Sequence, residues 1–361
     1  MAPAAMRVLA FAAVEVPKHS GRKRAVGAVN RGKVTMSDVA RLAGVSPMTV
    51  SNVVNDRVPV SDRARERVLA AIRESGYQVN AAARHLRSGR SGVIGLAVPQ
   101  IGNAYFGMLA ELVIEEARGH GYHVAIEQTG ALATGEAAAI DQSRRLQFDG
   151  LILSAVEIES LVPDNGNPIV LLGQQDLAGR FDHVTVPNEA GTAAATEHLI
   201  DQGCQRIAVV TGGDLHRLTM FTRRYNGYRS ALENRGIKPD PQLRFTVDAL
   251  TREGARATGH RIADADLGID GVVAFNDTTA MGVMRGLQDR GVSVPGDMRV
   301  IGFDDVPESA VYIPSLSTVS PDHRWKAAKA VELVVARIAD PDTPPREFTA
   351  PFTVIRREST S

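Results

Sequence analysis

Three short polar clusters in this 361-residue chain lie just beyond runs of apolar residues. Asn103-Ala104-Tyr105-Phe106 comes after Val93–Val98, Asn276-Asp277 after Gly271–Phe275, and Asp304-Asp305 after Val300–Phe303. Arg224, with Gly227-Tyr228, opens a helical pattern. Amides, carboxylates and a guanidinium can each engage adjacent hydroxyls in pairs, and Tyr105, Phe106 or Phe303 can cover the apolar face of a sugar. The chemistry these residues offer is recognition of a polyol. A plainer reading stands beside it: Asn and Asp after a strand commonly cap helices, and Arg224 can serve as a surface ion-pair partner. Motifs for bond making are missing. The nine histidines form no H-E-x-x-H, and there is no G-x-S-x-G, Walker motif or G-x-G-x-x-G. Cys204 precedes an apolar run and reads as a packing residue rather than a nucleophile. No cofactor or metal is implied, and catalysis is not expected.

A second set of polar residues sits near the N-terminus. Thr35-x-x-Asp38 is a capping-box start, followed by Val39, Leu42 and Ala43 on one helical face and by Gly44 as a stop. Ser46 caps a second helix with Pro47 in its first turn, and Val50, Val53 and Val54 form its buried face. Pro47, Met48, Thr49 and Asn52 then point away from that face. Ser61 starts a third helix with Val68, Leu69 and Ile72 inward, ending at Gly76. Helix, tight turn, helix and a bracing third helix form the helix-turn-helix plan, though a generic three-helix mini-domain fits the same pattern. Asn80–Arg87 is Ala-rich, capped by Asn80, and at eight residues marginal as an isolated helix.

The elements that must position the polar clusters follow from alternation. Apolar runs at Val93–Val98, His123–Ile126, Gly150–Leu153, Ile169–Leu172, Ile207–Val210, Gly271–Ala274 and Val300–Phe303 alternate with amphipathic stretches. The latter include Tyr105–Gly119, Glu189–Gln202, Arg224–Arg235, Arg252–Ala265 and Thr278–Arg290. This predicts parallel sheets covered on both faces, and the length predicts two such lobes. The fold class expected is an all-α helix-turn-helix head plus an α/β body of two parallel-sheet lobes. In such sheets ligands sit beyond the carboxyl ends of the strands, where the polar clusters fall.

Composition agrees. Hydrophobic residues make up 44% and charged residues 23%, as in ordinary globular chains. No apolar run reaches membrane-spanning length. A single cysteine excludes an internal disulfide framework. The net charge of zero hides an asymmetry: residues 1–90 hold 16 Lys and Arg against 6 Asp and Glu, and residues 91–361 hold 25 against 35. A basic head on an acidic body points to a polyanion partner for the head. Part of that excess sits in Lys18–Lys33, which reads as a basic, disordered arm. The expected domains are 1–33 as arm, 34–78 as helix-turn-helix head, 79–91 as hinge and linker, and 92–361 as two-lobed body.

The stretch VTMSDVARLAGVSPMTVSNVVND, Val34–Asp56, resembles the head of the LacI/GalR family of transcriptional regulators. The likeness continues through GYQVNAAARHLR and covers roughly residues 34–356. In the body, Asn103–Phe106, Arg224-x-x-Gly227-Tyr228, Asn276-Asp277 and Ile301–Asp305 resemble family motifs, which implies a periplasmic-binding-protein-like core. The resemblance implies base-reading positions at Pro47, Met48 and Asn52, with Asn52 the base hydrogen bonder. It implies phosphate or sugar contacts at Thr35, Ser46, Thr49, Ser51 and Asn55. In the hinge it implies a minor-groove role for Asn80, Ala83, Arg84 and Arg87, with Leu86 as an apolar wedge. For the effector it implies contacts from Asn103, Tyr105, Phe106, Arg224, Asn276, Phe303 and Asp304. Three departures stand out: Val79 where the family often has Pro, Ala104 for Pro, and Pro187 where it usually has Asp.

The function implied is that of a cytoplasmic, homodimeric regulator of pseudo-palindromic operator DNA. It would repress carbohydrate-metabolism genes under control of a small effector, a sugar, without a membrane partner. Two other classes compete. A solute-binding protein would need no head, and an architectural DNA-binding protein would respond to no ligand.

Overall fold

The computed structural model describes residues 34–55, 59–77, 89–157, 167–173, 179–212, 220–248 and 250–361. The chain divides between residues 81 and 82 into two compact units. The expected hinge contacts Asn80, Ala83, Arg84, Leu86 and Arg87 lie outside the described residues, as does the arm.

The first unit holds α1 (Met36–Ala43), α2 (Pro47–Asn55) and α3 (Asp62–Ser75). The capping box forms: Asp38 N–H donates to Thr35 Oγ1 at 3.3 Å, and Thr35 N–H donates to Asp38 at 3.0 Å. Gly44 closes α1 at φ 61°, a left-handed conformation that costs glycine little. Ser46 Oγ accepts from Thr49 N–H at 3.1 Å, capping α2 ahead of Pro47. Val39, Ala40, Ala43, Val50, Val53, Val68, Ala71 and Tyr77 form the core, with Val54 and Ile72 partly buried against it.

Two sequence expectations fail here. Leu42 is 49% exposed and Leu69 42% exposed. At about 100° per residue, Val39 and Ala43 leave open which side of their stripe is inward. The neighbouring helices select the side with Ala40, which turns Leu42 outward. In α3 the stripe through Val68, Ala71 and Ile72 leaves Leu69 about 100° off axis.

The second unit contains two lobes, each built on a six-stranded sheet among the described residues. The first sheet runs in the order β11-β5-β4-β3-β1-β2. Its strands are β1 (Val93–Val98), β2 (His123–Gln128), β3 (Gly150–Ala155), β4 (Ile169–Gly173), β5 (Asp182–Thr185) and β11 (Glu347–Thr349), all parallel. Helices α4 (Ala104–Gly119), α5 (Ala133–Arg145) and α10 (His323–Ala339) pack on it. The second sheet runs β12-β10-β9-β8-β6-β7. Its strands are β6 (Ile207–Thr211), β7 (Arg244–Thr246), β8 (Gly271–Ala274), β9 (Arg299–Phe303), β10 (Ser317–Pro321) and β12 (Phe352–Ile355). Helices α6 (Asn188–Asp201), α7 (Met220–Asn234), α8 (Arg252–Asp264) and α9 (Asp277–Asp289) cover it. Here β12 is antiparallel to β10, so this sheet is mixed at one edge. Among the described residues, no helix is long and apolar enough to cross a membrane.

Three segments pass between the lobes: β5 to α6, β10 to α10, and β11 to β12. They are tied side by side. Ala350 N–H donates to Thr185 O at 3.0 Å, and Asp322 N–H donates to Pro351 O at 2.8 Å. The antiparallel edge follows from this path, because β12 re-enters the second lobe directly from the last crossing instead of through a helix.

Candidate functional site

The body site is built around Arg224, in the first turns of α7. Gly227, one turn on, has a packing reason to be glycine: a Cβ there would lie 2.1 Å from Glu189 O. Its absence lets α7 lie directly on α6 and brings Arg224 against Asn188, the first residue of α6. Arg224 is 4% exposed. Its Nε donates to Asn188 Oδ1 at 2.6 Å and its Nη2 to Asp304 Oδ1 at 3.4 Å, while Nη1 donates to the Phe275 carbonyl. The guanidinium carbon sits 3.5 Å from the centroid of the Phe303 ring. Burial pulls the Arg224 pKa down and raises that of Asp304, and each opposes the other's shift through their pairing. The surface ion-pair reading of Arg224 is thereby set aside, since the pair is internal.

Asp304 and Asp305 adopt φ 111° and φ 53°, two consecutive non-glycine residues with positive φ. Strain of this kind persists where surrounding contacts over-determine the backbone. Those contacts are visible. Asp305 accepts from Arg357 Nη2 at 2.7 Å. Asp277, fully buried, accepts from Val306 N–H at 3.0 Å, Ser309 Oγ at 2.7 Å and Thr318 Oγ1 at 2.5 Å. Gly302 makes room for it, as a Cβ there would stand 2.2 Å from Asp277 Oδ1. Burial first, and the charge of Asp304 second, push the Asp277 carboxyl up to about 8.

From the first lobe, α10 supplies His323 and Lys326. His323 Nε2 donates to the Asp304 carbonyl, which fixes the tautomer and leaves Nδ1 as a bare acceptor. Burial lowers the His323 pKa. Lys326 Nζ donates to Tyr105 Oη at 2.8 Å, and the Tyr105 ring packs edge-on against Phe106 at 4.9 Å and His323 at 5.5 Å. Arg224, Asp304, His323, Lys326 and Tyr105 thus meet beside the crossings.

The expected effector residues divide. Arg224, Asp304 and Tyr105 come together, with Phe106 beside Tyr105. Asn103 and Asn276 are helix caps: Asn103 Oδ1 accepts from Tyr105 N–H at 3.0 Å, and Asn276 Oδ1 from Thr279 N–H at 2.8 Å. Phe303 is 1% exposed and lies beneath Arg224, against Gly191, so it supports the guanidinium instead of presenting a free face. Sequence reasoning missed Asn188, His323 and Lys326 as members of the site, and within the noted Asn276-Asp277 cluster it singled out Asn276 instead of Asp277. Asn188 stood next to the noted Pro187, and Asp277 next to Asn276. His323 and Lys326 carried no spacing signal. Among the described residues, no cluster of His, Cys, Asp and Glu is arranged to hold a metal ion.

In the head, Thr35, Ser46, Pro47 and Met48 are exposed, and Thr49, Ser51 and Asn52 are half-buried. Asn55 ends α2. Met48 is 69% exposed, a large apolar side chain held out on the helix face opposite Val50 and Val53. The hydroxyls of Ser46 and Thr49 lie 2.9 Å apart at the N-terminus of the same helix. Such a terminus, with its exposed N–H groups, suits phosphate.

A helix-turn-helix head together with a two-lobed body of periplasmic-binding type defines a ligand-responsive DNA-binding protein. Residues 35–80 match the family described as bacterial regulatory proteins, lacI family, and residues 196–360 match a periplasmic binding protein-like domain. The ribose operon repressor of Halalkalibacterium halodurans is 32% identical over 327 residues, covering 90% of this chain and 97% of that protein. A putative LacI-family transcriptional regulator from Sanguibacter keddieii is 41% identical, covering 76% of this chain and all of that one, with a TM-score of 0.70. The Lac repressor dimer bound to operator and the anti-inducer ONPF is 25% identical, covering 91% of this chain and 99% of that chain, with a TM-score of 0.76. The chain belongs to the LacI family of bacterial regulatory proteins and is a DNA-binding transcriptional regulator.

Proposed function

We propose that this regulator represses transcription in the cytoplasm by binding a pseudo-palindromic operator as a homodimer, and that a sugar-like effector at the Arg224–Asp304 site alters that binding. The ribose operon repressor and the operator-bound Lac repressor dimer support the repressor, sugar and dimer parts of this reading. Those relatives are repressors, and no catalytic step is assigned. Residues 34–78 serve as the head, 79–91 as hinge and linker, and 92–361 as the effector-binding and dimerising body. Pro47, Met48 and Asn52 face base edges, and Thr35, Ser46, Thr49, Ser51 and Asn55 the backbone. Asn80, Ala83, Arg84, Leu86 and Arg87 contact the minor groove and its phosphates.

One observation carries the effector part. Arg224 spends its donors on Asn188, Phe275 and Asp304, next to the segments that join the lobes. Those partners belong to the second lobe, and the Asp304 carbonyl also accepts from His323 of α10 on the first, so a polyol that displaces Asp304 disturbs a contact between the lobes and its binding is linked to their relative pose. A coupling of about 1–3 kcal/mol would change operator affinity roughly 5–150-fold. Val311 and Ile313, 78% and 84% exposed, are the apolar residues best placed to be covered by a second copy. Operator-binding titrations with and without a panel of sugars test the reading. Sequence-specific binding weakened by one sugar supports it. Binding indifferent to base sequence, or to every ligand, refutes it.

A further inference from the structure

Lys326 is the chemically unusual member of the site. It is 2% exposed, and its Nζ reaches a single neutral acceptor, Tyr105 Oη. Among the described residues no carboxylate lies within 4.0 Å of that nitrogen. An ammonium has three donors, so two are left in a place from which water is largely excluded. Burial of a charge without a partner is costly, and native sites normally supply one. The neighbouring acids are already engaged. Asp304 faces Arg224, Asp305 faces Arg357, and Asp277 holds Val306, Ser309 and Thr318. Burial pushes the Asp277 carboxyl up to about 8, which weakens it as a counter-charge. The corner therefore holds two cations, Arg224 and Lys326, against the single charge of Asp304, which Arg224 already engages. His323 adds an acceptor, since its buried Nδ1 has no hydrogen-bond partner. Tyr105 touches both groups, with its ring centroid 5.5 Å from Lys326 Nζ and 5.5 Å from the His323 ring.

We propose that this corner receives the anionic group of the effector: a carboxylate or phosphate on a polyhydroxylated molecule, with Lys326 as its counter-charge and His323 Nδ1 accepting from a hydroxyl. The proposal rests on the effector reading above and narrows it from a neutral sugar to a sugar acid or sugar phosphate.

The single tryptophan, Trp325, adjoins Lys326 and gives a fluorescence signal in the full chain. D-glucose, D-gluconate, D-glucose 6-phosphate and inorganic phosphate are titrated into wild type and Lys326→Met. The expected result has three parts. An anionic probe binds wild type at least tenfold more tightly than glucose, K326M loses that preference, and unliganded K326M melts no lower than wild type. Gluconate and the phosphate esters distinguish the two anion sources. The proposal is overturned if K326M unfolds at a clearly lower temperature, because Lys326 is then structural. It is equally overturned if no anion, inorganic phosphate included, discriminates the two proteins. A neutral sugar that releases operator from both proteins sinks the anion proposal and leaves the repressor reading intact. An operator affinity that no ligand changes sinks the repressor reading itself.

Discussion

The head and the body solve recognition in opposite ways. In the head the proposed contact residues are exposed or half-buried on α1 and α2, and a core of small residues behind them holds the helices. In the body the key groups are interior ionisable side chains: Arg224, Asp304, Asp277 and Lys326 are each 8% exposed or less. A surface that reads a large, rigid partner can leave its side chains in water until contact. A site that couples a small molecule to the pose of two lobes must place its charges inside the fold, where their partners are the fold's own. Recognition and stability are therefore separable in the head and fused at Arg224 and Asp304 in the body, with Lys326, whose one hydrogen-bond partner is Tyr105, as the exception.

The most severe way to break this contrast is Arg224→Met. It leaves Asp304 and Asn188 buried without their donor, a class of change that costs about 3–5 kcal/mol. Thermal unfolding of the body should register it together with loss of effector response, and a change below about 1 kcal/mol would refute the fusion. Asn52→Ala tests the head. It should cost about 1–3 kcal/mol of discrimination at one operator position. Head stability should stay within about 0.5 kcal/mol, as hydrogen exchange across α1–α3 can report. Arg87→Ala, by contrast, should weaken all DNA sequences alike and shallow the salt dependence.

Asp277 gives a pH test. Its folded pKa of about 8 lies above the ordinary 3.8, so the folded state holds the proton more tightly than the unfolded chain. Its contribution therefore favours folding at low pH and declines as pH rises from about 4 to about 8. Asp277→Asn should flatten the melting temperature across that window. An unchanged slope would show that Asp277 is ionised throughout. The smallest effect is expected from Leu42→Gln. A side chain 49% exposed should yield its polar replacement within about 0.5 kcal/mol, whereas the sequence pattern alone predicts a core lesion.

How legible each region was follows from the same contrast. Caps and turns are local, so Thr35, Asp38, Gly44, Ser46, Pro47 and Gly76 marked the head helices from spacing alone. The seven apolar runs became strands; six are buried along most of their length, as a strand covered on both faces has to be apolar throughout, while β2 at the sheet edge is half-exposed. The strands at the crossings, and the sheet edges other than β2, did not announce themselves. Asp182–Thr185, Ser317–Pro321 and Phe352–Ile355 mix polar and apolar residues, as their pairing is decided by where the chain returns. Helix α10 was missed with them, and with it His323 and Lys326.

By itself, then, the sequence determined the helix-turn-helix plan, the alternating α/β body and the polar residues placed after strand ends. Each depends on neighbours within a few positions or on one side chain's chemistry. Whereas the capping by Asn103 and Asn276 was one of the two readings their position already offered, tertiary structure alone decided that Phe303 lies beneath Arg224 with no free face and that Leu42 and Leu69 face water. It also decided that Asn188, Arg224, Asp304 and Lys326 share one interior corner. Residues as far apart as 188 and 326 meet only through the three lobe crossings, and no local period encodes which charges those crossings bring together.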